Sequence, residues 1–293
     1  EDSKFRNMRA ASNSTVNFSK SSALASAAAA ERVASGQLTA ADYYDRGVSF
    51  YGTGDYDTAI ACFDDAIQLD QNMAMAYTYR GIAYLKKGDN DRAIADYTQV
   101  IRLDPNYKWA YSNRGIAYYY KKDYDRAIAD YTQAIRLDPN YASAYYNRGV
   151  AYSEKGDNDR AIADYTQAIR LDPNYASAYS NRGIAYRAKG DNDRAIADHT
   201  QAIRLNPNYA TAYYNRGNAY SGKGDNDRAI ADYTQAIRLD QNYVKAYYSR
   251  GSAYYRKKDY NRAIADYEAV LRIDPNHALA REWLGKAQQA RGR

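Results

Sequence analysis

The feature that most constrains this chain is a fixed period. Gly recurs at positions 47, 81, 115, 149, 183, 217 and 251, and Ala at 59, 93, 127, 161, 195, 229 and 263. Every step is 34 residues. The twenty residues "RAIADYTQAIRLDPNYASAY" at 126–145 return unchanged at 160–179. The period divides the chain into seven units, 40–73, 74–107, 108–141, 142–175, 176–209, 210–243 and 244–277, with a half unit from 278. Self-similarity at such a period means stacked supersecondary units, each unable to bury its apolar face alone.

Spacing within a unit is helical. Tyr145, Gly149 and Tyr152 fall at i, i+4 and i+7 and predict a first helix, A. "KGDND" follows, with Gly156 suited to a helix exit and Asp157 or Asp159 suited to cap the next helix. Ala161, Tyr165, Ala168 and Ile169 repeat the helical spacing in a second helix, B, which "LDPN" at 171–174 ends. Gly149 and Ala161 are small where two helices approach closely, and the aromatics fill the space beside them.

Aromatic, Gly, Tyr, Ala, aromatic and Pro at set places in 34 residues resemble the tetratricopeptide repeat family. The fourth unit matches with Tyr145, Gly149, Tyr152, Ala161, Tyr165 and Pro173. Departures are few: Arg148 stands where the family usually has Leu, Gln71 and Gln241 replace the Pro, and His199 replaces the helix B aromatic. The resemblance covers residues 40–277. It implies an all-α, right-handed superhelical solenoid of antiparallel helix pairs that binds other proteins.

The flanks read differently. Residues 1–39 form a Ser/Ala-rich arm, expected to be mobile over 1–20 and weakly helical over 21–35. Phe5, Met8, Val16 and Phe18 make the arm a candidate groove ligand, in its own array or a neighbour's. Residues 278–293 are expected to form a capping helix, with Arg281 and Gln288 facing water where earlier units have Tyr. Self-association through the solenoid ends or the arm is a further expectation. The chain starts at Glu1, and Ala23 to Ala30 look like leader sequence without an apolar core. The compartment stays unassigned, with an upstream leader one option. No run approaches the ~20 apolar residues of a membrane span.

The net charge of +6 is uneven. Residues 1–39 carry +2, residues 278–293 carry +3, and the repeats at 40–277 only +1. A near-neutral body disfavours nucleic acid. It leaves open the rival reading of a single-strand binder using Tyr stacking and an Arg row. A structural spacer without a groove ligand is the third reading.

Seven copies permit an internal comparison. Helix B is nearly fixed, while helix A varies along one face. With Ala40 as position 1, position 2 includes Met75, Trp109 and Lys245, and position 5 includes Tyr146, Tyr214 and Tyr248. Position 9 includes Ile82 and Ile116, and position 12 includes Leu85, Tyr119 and Arg187. Steps of three and four lie on one helix face, expected to be the peptide-binding groove. The stripe is apolar in units 1–3 and polar in units 5–7, so a partner's apolar side chains are expected against the earlier units and its polar or acidic residues against the later ones. Position 6 repeats Asn113, Asn147, Asn181 and Asn215, whose amides match the C=O and N–H of a peptide backbone. This resembles the asparagine ladder of superhelical arrays in the family. Each Asn bonding within its own scaffold is the alternative.

Position 7 is Arg in every unit and position 23 is Asp in six, which predicts inter-helix ion pairs; an anion-binding Arg row is the alternative. The family's carboxylate clamp is incomplete, with Asn215 and Lys245 the only matches. Nothing supports catalysis, a metal or a cofactor. His199 occupies a core aromatic slot, His277 follows a turn, and Asp89 and Asp91 fit helix capping better than a calcium loop. Cys62 is the one cysteine, so no internal disulfide can form.

Overall fold

A computed structural model describes residues 38–292, which hold fifteen α-helices and no strand. The expected helix at 21–35 and the arm's groove-ligand residues lie outside the described residues. The chain separates into two compact units at Lys155 and Gly156. The first contains α1 (Ala40–Thr53), α2 (Tyr56–Leu69), α3 (Ala74–Lys87), α4 (Asn90–Leu103), α5 (Lys108–Tyr120), α6 (Tyr124–Leu137) and α7 (Ala142–Glu154). The second contains α8 (Asn158–Leu171), α9 (Ala176–Ala188), α10 (Asn192–Leu205), α11 (Ala210–Gly222), α12 (Asn226–Leu239), α13 (Val244–Arg256), α14 (Tyr260–Ile273) and α15 (Ala278–Arg291).

The turns show why the helices start and stop where they do. Each B helix opens on an aspartate whose carboxylate accepts the N–H three residues on, as Asp123 does from Arg126 at 3.1 Å. Asp157, and not Asp159, caps α8. Most A helices exit through a glycine at positive φ, such as Gly190 at 83°. In repeats 3 and 7 that place is Lys122 at 61° and Lys258 at 60°, a conformation costing a side chain about 1 kcal/mol. The B helices end in an Asx turn, where Asp138 accepts from Asn140 N at 2.9 Å.

Packing follows the repeat. Within each unit every helix lies against the next in sequence, and successive A helices also touch, with no comparable contact between B helices. The A helices therefore form the tighter side of each unit. Close approach of A to B depends on glycine at position 8, because a Cβ on Gly115 would sit 2.8 Å from the Tyr131 ring. Tyr97, Tyr131, Tyr233 and Tyr267 are wholly buried there. At the C-terminal end, Trp283 and Leu284 of α15 pack on the cluster of Ala263, Ile264 and Tyr267, while Arg281 and Gln288 are exposed.

Two ladders of charge join neighbours. Lys87, Lys121 and Lys155 pair with Asp57, Asp91 and Asp125, and Lys189, Lys223 and Lys257 with Asp159, Asp193 and Asp227. These exposed pairs are each worth about 0–1 kcal/mol. The deeper ladder uses position 7.

Candidate functional site

The position 7 arginines are committed to the scaffold. Arg114 donates through Nε and Nη2 to both oxygens of Asp130, each at 2.8 Å, and through Nη1 to Thr98 of the preceding repeat at 3.0 Å. Arg182, Arg216 and Arg250 repeat this with Asp198, Asp232 and Asp266 and the preceding threonine. Arg80 bonds Asp96 and reaches Asp64 instead of a threonine. Burial pushes the Asp96, Asp130 and Asp266 carboxyls upward, against the pull of their arginines. The row is therefore an inter-helix clamp. In repeat 1 the aspartate is replaced by Cys62, which is buried and whose thiol burial pushes up, leaving Arg46 exposed over the Tyr43 ring.

The variable stripe of helix A is narrower at the surface than its sequence pattern implies. Met75 is 42% exposed, Arg187 and Lys245 are exposed, and Leu85 is half-buried. Trp109 is half-buried, with its ring edge-on to Tyr141 at 4.7 Å and Lys108 Nζ 4.7 Å above it. Tyr214 and Tyr248 are half-buried, leaning on Tyr233 and Tyr267 at 5.9 and 5.8 Å. Ile82, Ile116, Tyr119 and Tyr146 are buried. The cause is geometric. Helix A touches two B helices and its neighbouring A helices, which cover Ile82, Ile116, Tyr119 and Tyr146 and leave Met75, Arg187 and Lys245 at the surface.

The asparagines at position 6 are also mostly enclosed. Asn113 and Asn215 are each 8% exposed, Asn147 1% and Asn181 5%. The side chains of Asn113, Asn147 and Asn215 make no hydrogen bond to any described residue, and both amide atoms of Asn147 are buried without a partner. An amide left this way costs about 1–3 kcal/mol.

One relation was missed in the sequence. The hydroxyl of the buried helix B tyrosine points at position 9 of its own repeat. Tyr233 donates to Asn218 Oδ1 at 2.8 Å, and Tyr267 lies 3.3 Å from Ser252 Oγ. Where position 9 is Ile82 or Ile116, the Tyr97 and Tyr131 hydroxyls have no partner. Polar residues at position 9 thus serve the core, and not the graded stripe to which they seemed to belong. Position 24 stays Tyr in five repeats while position 9 runs from Ile and Val to Asn and Ser, so the sequence carried no signal of this relation. His199 fills the same slot in repeat 5, with both ring nitrogens buried and unpartnered. Burial, and then the Arg187 and Arg216 charges, hold its pKa down at about 3. Among the described residues no cluster of metal-ligating side chains occurs, and no helix is long and apolar enough to cross a membrane.

Tandem helix pairs, clamped repeat to repeat and varying along one stripe, define a helical-repeat scaffold for protein–protein interaction. Models described as TPR repeat match residues 115–156 and 183–224, and models described as tetratricopeptide repeat match 44–108, 142–175, 164–197, 214–278 and 250–293. The chain belongs to the tetratricopeptide repeat family. Its fold is similar to that of a tetratricopeptide repeat protein from Parabacteroides merdae, at 19% identity and a TM-score of 0.65, over 85% of this chain and 98% of that one. It is similar to a chain of the APC/C hetero-tetramer Cut9-Hcn1, at 22% identity and 0.65, over 84% of this chain and 49% of that one. It also resembles YrrB, titled a TPR protein with an unusual peptide-binding site, at 23% identity and 0.53, over 63% of this chain and 95% of that one. A search of curated proteins gives no match.

Proposed function

We propose that the A-helix stripe takes extended peptide segments of partner proteins. The observation that carries this reading is the set of asparagine amides the scaffold does not use: Asn113 and Asn147 in the first unit and Asn215 in the second. Each amide offers a donor and an acceptor to a peptide unit. A small side-chain movement would bring these nearly enclosed groups to a guest backbone. Met75 and Trp109 supply apolar contact beside them in the first unit, and Arg187 and Lys245 supply charge in the second. The likeness to a peptide-binding TPR protein agrees with this reading. In the same reading, residues 1–39 are an arm, 40–277 the seven repeats, and 278–293 a cap.

The test is selection of random extended peptides on the intact chain, followed by titration against Met75→Ala and Trp109→Ala. Peptides with an apolar anchor are expected to lose about tenfold in affinity. Selected peptides that bind both variants as they bind the wild type would overturn the reading.

A further inference from the structure

In the second unit most arginines of the A helices and of the helix caps are paired with aspartates. Arg182, Arg216 and Arg250 are clamped to aspartates, as described. Arg194, Arg228 and Arg262 pair with the cap aspartates Asp191, Asp225 and Asp259. The position 14 lysines pair across repeats. Two arginines of the A helices stand outside this scheme.

Arg187, at the end of α9, is exposed and its side chain forms no hydrogen bond or ion pair with a described residue. Arg256, at the end of α13, is exposed and donates through Nη1 to Ser221 Oγ at 2.6 Å and Asn226 Oδ1 at 3.2 Å. Its other guanidinium nitrogens keep their donors. These residues lie 69 apart in sequence, yet both charges act on the same buried phenol, Tyr233 of the repeat between them. Arg187 also acts on His199 and Arg256 on Tyr267. Arg187, Ser221 and Arg256 stand at positions 12, 12 and 13 of α9, α11 and α13, three A helices that touch in succession, with Arg256 bonded to Ser221. The chief groups acting on His199, Tyr233 and Tyr267 include no carboxylate. Residues 156–293 hold 22 Lys and Arg against 16 Asp and Glu, a net of +6, while residues 40–155 hold 14 against 16.

We propose that Arg187 and Arg256, with Ser221 between them, form a seat for an acidic side chain of an extended partner segment. This rests on the peptide-binding reading and adds to it the partner's chemistry: carboxylates opposite repeats 5–7. Ser221 and Asn226 hold Arg256 in place, so little ordering is needed on binding. Planar guanidinium forks suit a carboxylate, and two of them account for its charge without a cation from the clamp. Neither residue belongs to the core, so removing either leaves the scaffold intact.

The experiment is fluorescence anisotropy on the full chain at about 0.15 M salt. The probe is a labelled Gly/Ser peptide with spaced glutamates, and its twin carries glutamine instead. The glutamate peptide is expected to bind at least about tenfold tighter. Arg187→Gln with Arg256→Gln should bring it down to the glutamine level. Arg204→Gln with Arg238→Gln, which removes two exposed arginines of B helices, should leave it within about twofold. Equal binding of the twins by the wild type, or a control pair that costs as much as the test pair, overturns the seat. If the glutamine twin binds and only the preference is missing, the stripe still takes peptides and the seat alone falls. If oligo-dT binds and neither peptide does, both readings fall in favour of nucleic acid.

Discussion

The two units are built from the same helix pairs and the same ion-pair clamp, yet their interiors solve one problem differently. In the first, position 9 is the buried Ile82 or Ile116, and the Tyr97 and Tyr131 hydroxyls go unpartnered. In the second, Asn218 and Ser252 take that position and the Tyr233 and Tyr267 hydroxyls are engaged, while repeat 5 does without a hydroxyl by using His199. The difference teaches that a repeat is held by its Gly, Ala and aromatic contacts, with position 9 free to be greasy or polar. It also separates charge, with the surplus of cations in the second unit.

The sharpest break in the comparison concerns the clamp. Arg182→Ala would leave Asp198 buried without its partner and is expected to cost about 3–5 kcal/mol in chemical denaturation. Arg46→Ala, in the repeat where Cys62 replaces the aspartate, should change stability by no more than about 0.5 kcal/mol. Equal losses would mean that the clamp adds nothing to stability.

Acid should separate the units next. His199 is held at about 3, below the ordinary histidine value of 6.5, so the unfolded chain binds the proton more readily. Stability from the neutral ring is complete above pH 6.5 and declines as pH falls toward 3. Relative to His199→Tyr, the wild type should lose about 3 kcal/mol between pH 6.5 and pH 4. The charges acting on the ring are those of Arg187 of α9 and Arg216 of α11, and Asp198 beside it is bonded to Arg182. Parallel stability–pH curves for the two proteins would contradict this.

The smallest effect carries the most pointed sign. Tyr131→Phe removes an unpartnered hydroxyl and should be neutral or stabilising by up to about 1 kcal/mol. Tyr233→Phe removes the donor to Asn218 and should cost about 1 kcal/mol. Thermal melts that move in the same direction would erase the distinction between the units.

Much of this was legible in the sequence because a period needs no coordinates. Helix pairs, aspartate caps and the pairing of position 7 with position 23 follow from spacing and charge, since each repeat sets the same local problem. Which unit a repeat belongs to was not legible, because the division at Lys155 depends on contacts between distant residues. The stripe was only partly legible. Helical spacing groups positions 2, 5, 9 and 12 on one face, but it does not say that neighbouring helices cover Tyr146 and Ile116 and leave Met75 and Arg187 outside. The same limit hid the role of Asn218, a surface residue by pattern that bonds a core phenol.

The account turns on whether unused amides are kept for a guest. The direct measurement is calorimetric titration of a selected extended peptide into Asn113→Ala/Asn147→Ala, with a thermal melt of the same variant. Neither amide bonds the scaffold, so the variant should melt no earlier than the wild type while binding the peptide about tenfold more weakly. Unchanged affinity, or a melt shifted well downward, would contradict it and return the asparagines to the scaffold.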